Sequence, residues 1–384
     1  MIRLSNDDDL SVSLGVEEEF FLIDPETRDL LVNPDPGILE ECEKNRGPHK
    51  VVHEYLWSQV ETNTKVCGSV AELRDAVRET RRIVINAAER HGAAVLAAST
   101  HPFAPWELQK ATPKKRYENF TARFQDVIRR LTISGMHIHA GFGDADTRIR
   151  IMTAARRYLP MFHALSTSSP FSDGRETGFK SWRLAIVGGL PRTGIPKPMR
   201  SWSDYDQTVA EYKHMNFIGD GSELWWDIRP SYAYPTIEMR ICDVCTRLDD
   251  AICIAALYAS LIRMLMRQDR SNALPPEPLT EIIAENRWIA QRYGVFAFFG
   301  DSLQGGLADI DDFLAELLKS IQPDASALGC ESEVRQAINI VREGSGADRQ
   351  LDYFRLRRLE GDDVAEALRR VVDFIVSETR ESID

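Results

Sequence analysis

The stretch GVEEEFFLID, residues 15–24, decides the fold, because it places three consecutive acids inside a predicted strand. Its β-branched and aromatic residues, and the DPET turn that follows, predict a strand over residues 13–23. Side chains alternate between the faces of a strand, so Glu17 and Glu19 share one face and Glu18 points to the other. Two like charges on a partly buried face need a cation between them, and Mg²⁺ prefers carboxylate oxygens. The alternative is a solvated edge strand that carries acids against aggregation, but the apolar run after the acids argues against it.

A second strand is predicted over residues 132–142, which end in GMHIHAGF. His137 and His139 share one face of this strand, and a neutral imidazole can ligate a divalent ion. The alternative for either histidine is a hydrogen-bonded position in the core.

A third strand is predicted over residues 235–243, where TIEMRICD places Glu238 and Arg240 on one face. This pair suits a metal-binding carboxylate beside a guanidinium that binds an anion. The alternative is a cross-strand salt bridge on a solvated face. The stretch EYLWSQVETNT adds Glu54 and Glu61, whose spacing alone carries no information.

Helix signals lie between and after these strands. Ser69 and Glu72 predict a capping box at the start of a helix that ends near Gly92. The Gly-, Pro- and Ser-rich segment 169–197 is predicted to be a long functional loop or lid. From Thr246 onward almost every stretch has helical periodicity.

These elements predict an α+β fold in a single catalytic domain over residues 1–384. The sheet-rich part with the active site covers residues 1–245, and a helical part covers residues 246–384. Neither a low-complexity linker nor an internal repeat divides the sequence.

Composition and charge exclude several classes of protein. The net charge of −12 argues against nucleic acid as a partner, because duplex binding needs clustered Lys and Arg. The most apolar stretch, residues 251–265, is short for a membrane span and is interpreted as a buried helix. No signal peptide is expected, since residues 1–4 lead directly into the acids 7–9, which are interpreted as a solvated tail. Six cysteines are too sparse for a disulfide scaffold, so the cytoplasm is the expected compartment and the C-x-x-C at 242–245 is interpreted as structural.

The ordered set of segments resembles the bacterial family of carboxylate–amine ligases related to glutamate–cysteine ligase type 2. The resemblance rests on GVEEEFFLID, VETNT, STHPF, GMHIHAGF, SSPFSDGRETGFKSWR, WWDIRP, TIEMRICDVC and ENRWIAQRYG, in that order. This family is similar in turn to the glutamine synthetase catalytic domain, where E-x-E, H-x-H and E-x-R strands line a funnel. The resemblance therefore implies a curved, mainly antiparallel six-stranded sheet flanked by helices, with ATP and metals entering from one end and the substrates from the other.

The resemblance also implies roles for individual residues. It implies two metal sites, one formed by Glu19, Glu54 and Glu61 and one, which touches the nucleotide phosphates, formed by Glu17, His137 and Glu238. It implies that Arg240 holds the transferring phosphate or the substrate acid, with Arg183 as a second candidate for this role. Apart from the resemblance, the aromatic residues Trp225, Trp226 and Trp182 are candidates for stacking on the adenine, although core or rim packing is the more frequent role of such residues.

The implied reaction is ATP-dependent and uses two or three Mg²⁺ ions, or Mn²⁺ in their place. A carboxylate, with the γ-carboxylate of glutamate as the first choice, attacks the γ-phosphate of ATP and forms an acyl phosphate. Cysteine or another amine then displaces phosphate and gives the amide. The protein positions the reactants and keeps water from the acyl phosphate.

Three alternatives share parts of this pattern. An ATP-dependent phosphotransferase acting on a guanidino compound would use the same metals, a metal-dependent hydrolase would need no ATP, and a nucleotide-binding regulatory protein would have no turnover. The expected partners are small-molecule amino-acid and amine substrates, with no nucleic acid and no membrane. The apolar faces of the helical half cover the sheet or bury a partner subunit, so a homo-oligomer, dimeric or larger, is left open.

Overall fold

The computed structural model describes residues 10–301, 305–381 and 383, and the acidic residues 7–9 lie outside this range. Its strands are β1 (Ser13–Ile23), β2 (Lys50–His53), β3 (Gln59–Asn63), β4 (Ala94–Leu96), β5 (Met136–Gly141), β6 (Phe171–Ser172), β7 (Arg175–Glu176), β8 (Thr193–Gly194), β9 (Trp225–Trp226), β10 (Ile228–Pro230), β11 (Thr236–Met239), β12 (Phe298–Asp301) and β13 (Gly306–Asp309). Its helices are α1 (Gly37–Asn45), α2 (Val70–Arg90), α3 (Lys115–Phe124), α4 (Asp126–Arg129), α5 (Ala145–Ala155), α6 (Leu159–Ser166), α7 (Arg183–Val187), α8 (Trp202–His214), α9 (Leu248–Arg270), α10 (Thr280–Tyr293), α11 (Ile310–Ala327), α12 (Glu331–Glu343), α13 (Gly346–Leu359) and α14 (Val364–Arg380).

The main sheet has the strand order β10-β11-β5-β1-β3-β2, and every pair in it is antiparallel. This confirms the predicted α+β fold with an antiparallel sheet, but within the described residues the sheet has seven strands where six were predicted. The seventh strand, β4, pairs with the last residues of β1. Strand β5 pairs with β1 only as far as Glu18. The last residues of β1 therefore have no β5 partner on that side and pair with β4 instead.

Strand β1 has the predicted bounds and lies at the centre of the sheet. Glu18 points away from Glu17 and Glu19, as alternation predicts, and forms an ion pair with Arg81 of α2. The side chains of both partners are almost fully buried. Arg81 also donates to the carbonyl oxygens of Cys245 and Thr246, which ties α2 to the end of the segment that follows β11.

Helix α2 begins where predicted, with Ser69 as its N-cap residue. The Ser69 hydroxyl accepts from the N–H of Glu72. The predicted capping box is incomplete, because the Glu72 carboxylate accepts from the N–H of Gly68 and pairs with Lys65. Gly92 follows the helix with φ +70° and is its predicted terminating glycine.

The described residues of the second half are mainly helical, as predicted, but they also include the antiparallel pair of β12 and β13. Helix α9 contains the apolar stretch 251–265 and is buried along most of its length. Helices α13 and α14 cover one end of the sheet, where Leu368, Val372 and Phe354 pack in one cluster with Phe21 and Ile23 of β1. Among the described residues, no helix combines the length and the apolarity needed to cross a membrane.

The segment 169–197 is more ordered than a loop, since it contains β6, β7, α7 and β8. Its start is held by the fully buried carboxylate of Asp243, which accepts from the hydroxyls of Ser169 at 2.7 Å and Ser181 at 2.9 Å. The Asp243 carboxylate also accepts from the N–H of Ser168 at 3.0 Å. These contacts fix the entry to α7, which begins with Arg183.

Candidate active site

Three acids from three parts of the chain form a group that we call the acid triad: Glu19, Glu54 and Glu61. Glu19 and Glu61 are directly opposite each other on β1 and β3, and Glu54 lies in the connection between β2 and β3. One carboxylate oxygen of each lies within 4.8 Å of the others. The three oxygens therefore surround a point that a single cation could occupy.

Burial and mutual repulsion make the acid triad costly in its charged form. Burial, followed by repulsion from Glu54, raises the pKa of Glu19 to about 8. Burial also raises the pKa of Glu54, and burial with repulsion from the neighbouring acids raises the pKa of Glu61 well above its usual range. The group thus favours either bound protons or a bound cation.

A second group, which we call the His–acid group, consists of Glu17, His137 and Glu238 on three adjacent strands. Its ligand atoms also lie within 4.8 Å of one another. The Nδ1 atom of His137 is 3.2 Å from a carboxylate oxygen of Glu17 and 3.9 Å from one of Glu238. Burial and the nearby Arg240 lower the pKa of His137 to about 4, so the imidazole is neutral and able to ligate a cation.

The carboxylates of the His–acid group stay ionised. Burial alone would raise the pKa of Glu17, but hydrogen bonds with His137 and His139 outweigh it and hold that pKa well below its usual range. Burial is likewise outweighed at Glu238, where Arg240 and Arg229 lower the pKa.

Arginines frame the His–acid group. Arg240 follows β11 and binds Glu238 directly, and one of its Nη atoms is 3.4 Å from Nδ1 of His137. Arg229 of β10 lies opposite Glu238 in the sheet and reaches its two oxygens at 2.9 and 3.3 Å. The predicted Glu238–Arg240 pair is therefore a buried cluster with a second arginine and not a pair on a solvated face.

Arg183 approaches the site from α7. Its guanidinium donates to the carbonyl oxygens of Ile241 at 3.3 Å and Arg240 at 3.2 Å. It can lie there because Gly135 has no side chain, since a Cβ at that position would be 2.5 Å from an Nη atom of Arg183. The Gly135 N–H, in turn, donates to the Glu19 carboxylate at 2.7 Å.

Two cavities open on this face of the sheet, and among the described residues Glu17 alone lines both. The acidic cavity has a volume of about 390 Å³ and contains the acid triad, His137, Arg183 and Arg240. Its outer wall is apolar and includes Phe120, Ile128, Leu131, Val187, Leu190 and Trp225. The glycine-floored cavity has a volume of about 640 Å³ and includes Ser13, Gly15, Lys50, His139, Gly141, Tyr234 and Thr236.

Trp226, a predicted candidate for nucleotide contact, lies in the core. It is only 8% exposed, packs against Tyr205 and lines neither of the two cavities. Its neighbour Trp225 lines the acidic cavity instead, because alternation along β9 turns the two rings to opposite sides.

Two functional candidates were missed from the sequence. Arg229 was missed because its contact with Glu238 depends on the pairing of β10 with β11, although both residues lie within conspicuous segments. Tyr117 of α3 was missed because its contact joins distant parts of the chain, and its hydroxyl donates to Glu54 at 3.2 Å.

The donor sets of the two groups fit divalent cations to different degrees. The acid triad offers three carboxylates whose raised pKa values reflect uncompensated charge, which suits Mg²⁺ or Mn²⁺. The His–acid group offers a neutral imidazole and two ionised carboxylates, but Arg229 and Arg240 already compensate Glu238. A cation there would share Glu238 with two guanidinium groups.

Comparison with known proteins places this geometry in a family. The model of glutamate–cysteine ligase family 2 matches residues 13–373. A protein of Rhodospirillum rubrum, provisionally named glutamate–cysteine ligase 2, is 43% identical over 372 residues, which are 96% of this chain and 95% of that protein. A protein of Jannaschia sp. with the same provisional name is 40% identical over 366 residues, which are 95% of this chain and 96% of that protein.

Solved structures share the fold at low sequence identity. The crystal structure of a glutamate–cysteine ligase from Francisella tularensis, in complex with AMP, has a TM-score of 0.68 and 12% identity, and the match covers 97% of this chain and 90% of that chain. A bifunctional glutathione synthetase from Pasteurella multocida has a TM-score of 0.70 and 15% identity, and the match covers 97% of this chain but only 53% of that chain. The family match and the sequence relatives, together with this shared fold, show that the chain belongs to glutamate–cysteine ligase family 2 and is an ATP-dependent ligase that forms a carbon–nitrogen bond.

Proposed function

We propose that this enzyme joins the γ-carboxylate of glutamate to cysteine or another amine through an acyl phosphate. The observation that carries the proposal is the assembly of the acid triad and the His–acid group on one face of a sheet, beside Arg240 and Arg183. Such a face can neutralise a triphosphate and an acid at the same time.

Each cavity suits a different reactant. We assign the glycine-floored cavity to the nucleoside of ATP, because it is the larger one and adjoins the His–acid group at Glu17. The acidic cavity then holds the acid and the amine, with the acid near the acid triad and the amine side chain against the apolar wall. Glu17 lies between the two, where the γ-phosphate would meet the substrate carboxylate.

The roles of the side chains follow from this arrangement. Glu19, Glu54 and Glu61 hold one divalent cation, and Glu17, His137 and Glu238 hold another, beside the nucleotide phosphates. When bound, these Mg²⁺ or Mn²⁺ ions neutralise the charge that develops as the phosphoryl group is transferred. Arg240 orients the transferring phosphate or the substrate acid. Arg183 donates to the backbone carbonyl of Arg240 and also exposes its own positively charged guanidinium to the acidic cavity. The apolar wall excludes water from the acyl phosphate.

The test is a screen for ADP release with pairs of acids and amines, with the products identified by mass spectrometry. We expect ADP release to require both an acid and an amine. With hydroxylamine in place of the amine, we expect the enzyme to form the hydroxamate of its acid substrate, because hydroxylamine traps an acyl phosphate. A phosphorylated guanidino product, or turnover of a substrate without ATP, would replace this function by one of the alternatives.

Several finer features are part of the same proposal. The chain forms a single catalytic domain, its sheet is curved as in glutamine synthetase, and two or three metal ions take part. The protein acts in the cytoplasm, as a monomer or as a homo-oligomer. Helices α13 and α14 cover the sheet of their own chain, so an interface between copies would use other surfaces.

A further inference from the structure

A contact between two side chains joins the two edges of the main sheet. Lys50 begins β2 at one edge, and Tyr234 lies in the turn between β10 and β11 at the other. The Lys50 ammonium donates to the Tyr234 hydroxyl at 2.9 Å and lies 5.7 Å from the centre of its ring. The two residues are 184 positions apart in the chain.

This contact requires the sheet to fold around its own face. Six strands spaced by about 4.8 Å would separate the edges of a flat sheet by about 24 Å, which is further than a lysine and a tyrosine side chain can bridge. The contact therefore crosses above the sheet, and both residues line the glycine-floored cavity beneath it. Lys50 and Tyr234 form a roof over that cavity.

The roof also reaches the site of phosphoryl transfer. The Tyr234 ring packs edge-on against the His139 imidazole, with ring centres 6.2 Å apart and planes at 89°. The Nε2 atom of His139 is 3.3 Å from a carboxylate oxygen of Glu17 in the His–acid group. Below the roof, Gly15 and Gly141 lie on adjacent strands, and the floor beside them carries the short side chains of Ser13 and Thr236, which border Gly141.

These features suit a nucleotide held between floor and roof. An aromatic ring above a floor of glycines and short side chains can pack against a purine, and an ammonium group can bind phosphate or ribose oxygens. Lys50 has three N–H donors, so it can keep its bond to Tyr234 and bind a nucleotide as well. Both residues are exposed at their outer side, which leaves them free to separate when a nucleotide enters or leaves.

We propose that Lys50 and Tyr234 are nucleotide-binding residues that close over the nucleoside end of ATP as a roof. This inference rests on the proposed function, because it takes the glycine-floored cavity as the nucleotide site. It adds two residues outside both metal-ligand groups, and it assigns the ring of Tyr234 to the base and the ammonium of Lys50 to the oxygens of the nucleotide.

Titration calorimetry of the full-length chain with MgADP tests the roof. We expect Lys50→Met and Tyr234→Ala each to weaken MgADP binding at least tenfold. Tyr234→Phe keeps the ring and should weaken it less than threefold. The matched control is Lys110→Met, which removes an exposed ammonium that binds Asn33 away from both cavities and should leave MgADP binding unchanged.

A second measurement separates the roof from general loss of structure. In the hydroxamate assay, Lys50→Met should raise the KM for ATP at least tenfold and change the KM for the acid less than twofold. Equal thermal midpoints of variants and wild type check the fold, and Lys50→Arg should recover part of the affinity if Lys50→Met is unstable. Wild-type binding of MgADP with no weakening in Lys50→Met and Tyr234→Ala overturns the roof alone. A wild-type chain that does not bind MgADP overturns the roof together with the nucleotide site.

Discussion

At the scale of single residues, two adjacent glutamates have opposite environments. Glu17 faces the cavities and contacts His137 and His139, whereas Glu18 faces the core and pairs with Arg81. Alternation along one strand is sufficient to separate them. The same substitution at each position should therefore have different effects.

We expect Glu17→Gln to abolish ATP-dependent turnover, because it removes a carboxylate from the His–acid group. Glu18→Gln should instead lower the free energy of unfolding by about 3–5 kcal/mol, since it leaves the Arg81 charge buried without a partner. Denaturant unfolding and ADP release, measured on both variants, check this contrast. Retained activity in Glu17→Gln would contradict the metal role of that residue.

The raised pKa values of the acid triad predict that the stability of the protein depends on pH when EDTA removes divalent cations. The pKa of Glu19 in the folded protein, about 8, lies above its usual value of 4.5, so the folded state binds this proton more tightly than the unfolded chain. The resulting stabilisation is complete below about pH 4.5 and is lost as the pH rises through about 8. Between pH 6 and pH 9 the thermal midpoint should fall.

Mg²⁺ should reverse this loss, and its stabilising effect should be larger at pH 8.5 than at pH 6, because the cation replaces protons on the triad. Thermal unfolding with EDTA or with Mg²⁺ at the two pH values measures the difference. Glu19→Gln is the control and should reduce both the pH dependence and the response to Mg²⁺. An equal response to Mg²⁺ at both pH values would argue against cation binding by the triad.

At the scale of elements, the sequence predicts strands better than it predicts what crosses between them. The bounds of β1 and the shared face of Glu17 and Glu19 follow from local alternation, because the alternation of side chains within one strand does not depend on which strands pair with it. The position of Arg229 depends on the register of β10 against β11, and the seventh strand depends on the edge that β5 leaves free. Such features arise from tertiary pairing, which the periodicity of one segment does not contain.

The segment 168–183 gives a prediction at this scale. Asp243→Asn should weaken three hydrogen bonds that hold the segment, from Ser168, Ser169 and Ser181, and should cost about 3 kcal/mol of stability. We also expect a lower kcat, because the segment leads into Arg183. Limited proteolysis should cut between residues 170 and 180 faster in the variant than in the wild type. Unchanged proteolysis would show that other contacts anchor the segment.

At the scale of the whole molecule, a buried carboxylate joins the C-terminal helices to the start of the helical part. Glu378 of α14 accepts from Arg349 of α13 at 2.7 Å and from the Thr246 hydroxyl at 2.6 Å. Arg349 also binds Asp250 at the start of α9. Arg81 of α2 donates to the Thr246 carbonyl oxygen and pairs with Glu18 of β1, which links this network to the sheet-rich part.

We expect the chain to unfold in one transition, with near-UV and far-UV circular dichroism superimposed, as one cooperative domain requires. Glu378→Gln should lower the free energy of unfolding by about 3 kcal/mol and keep a single transition. Separate transitions in the wild type would contradict a single catalytic domain.

The position of Glu17 between two cavities has a kinetic consequence. Reactants that occupy separate chambers on either side of one carboxylate do not block each other's route to the point of contact. The nucleotide and the acid can then arrive in either order, so each should bind to the free enzyme in titration calorimetry. If one reactant bound only after the other, the second cavity would have to form after the first had been filled.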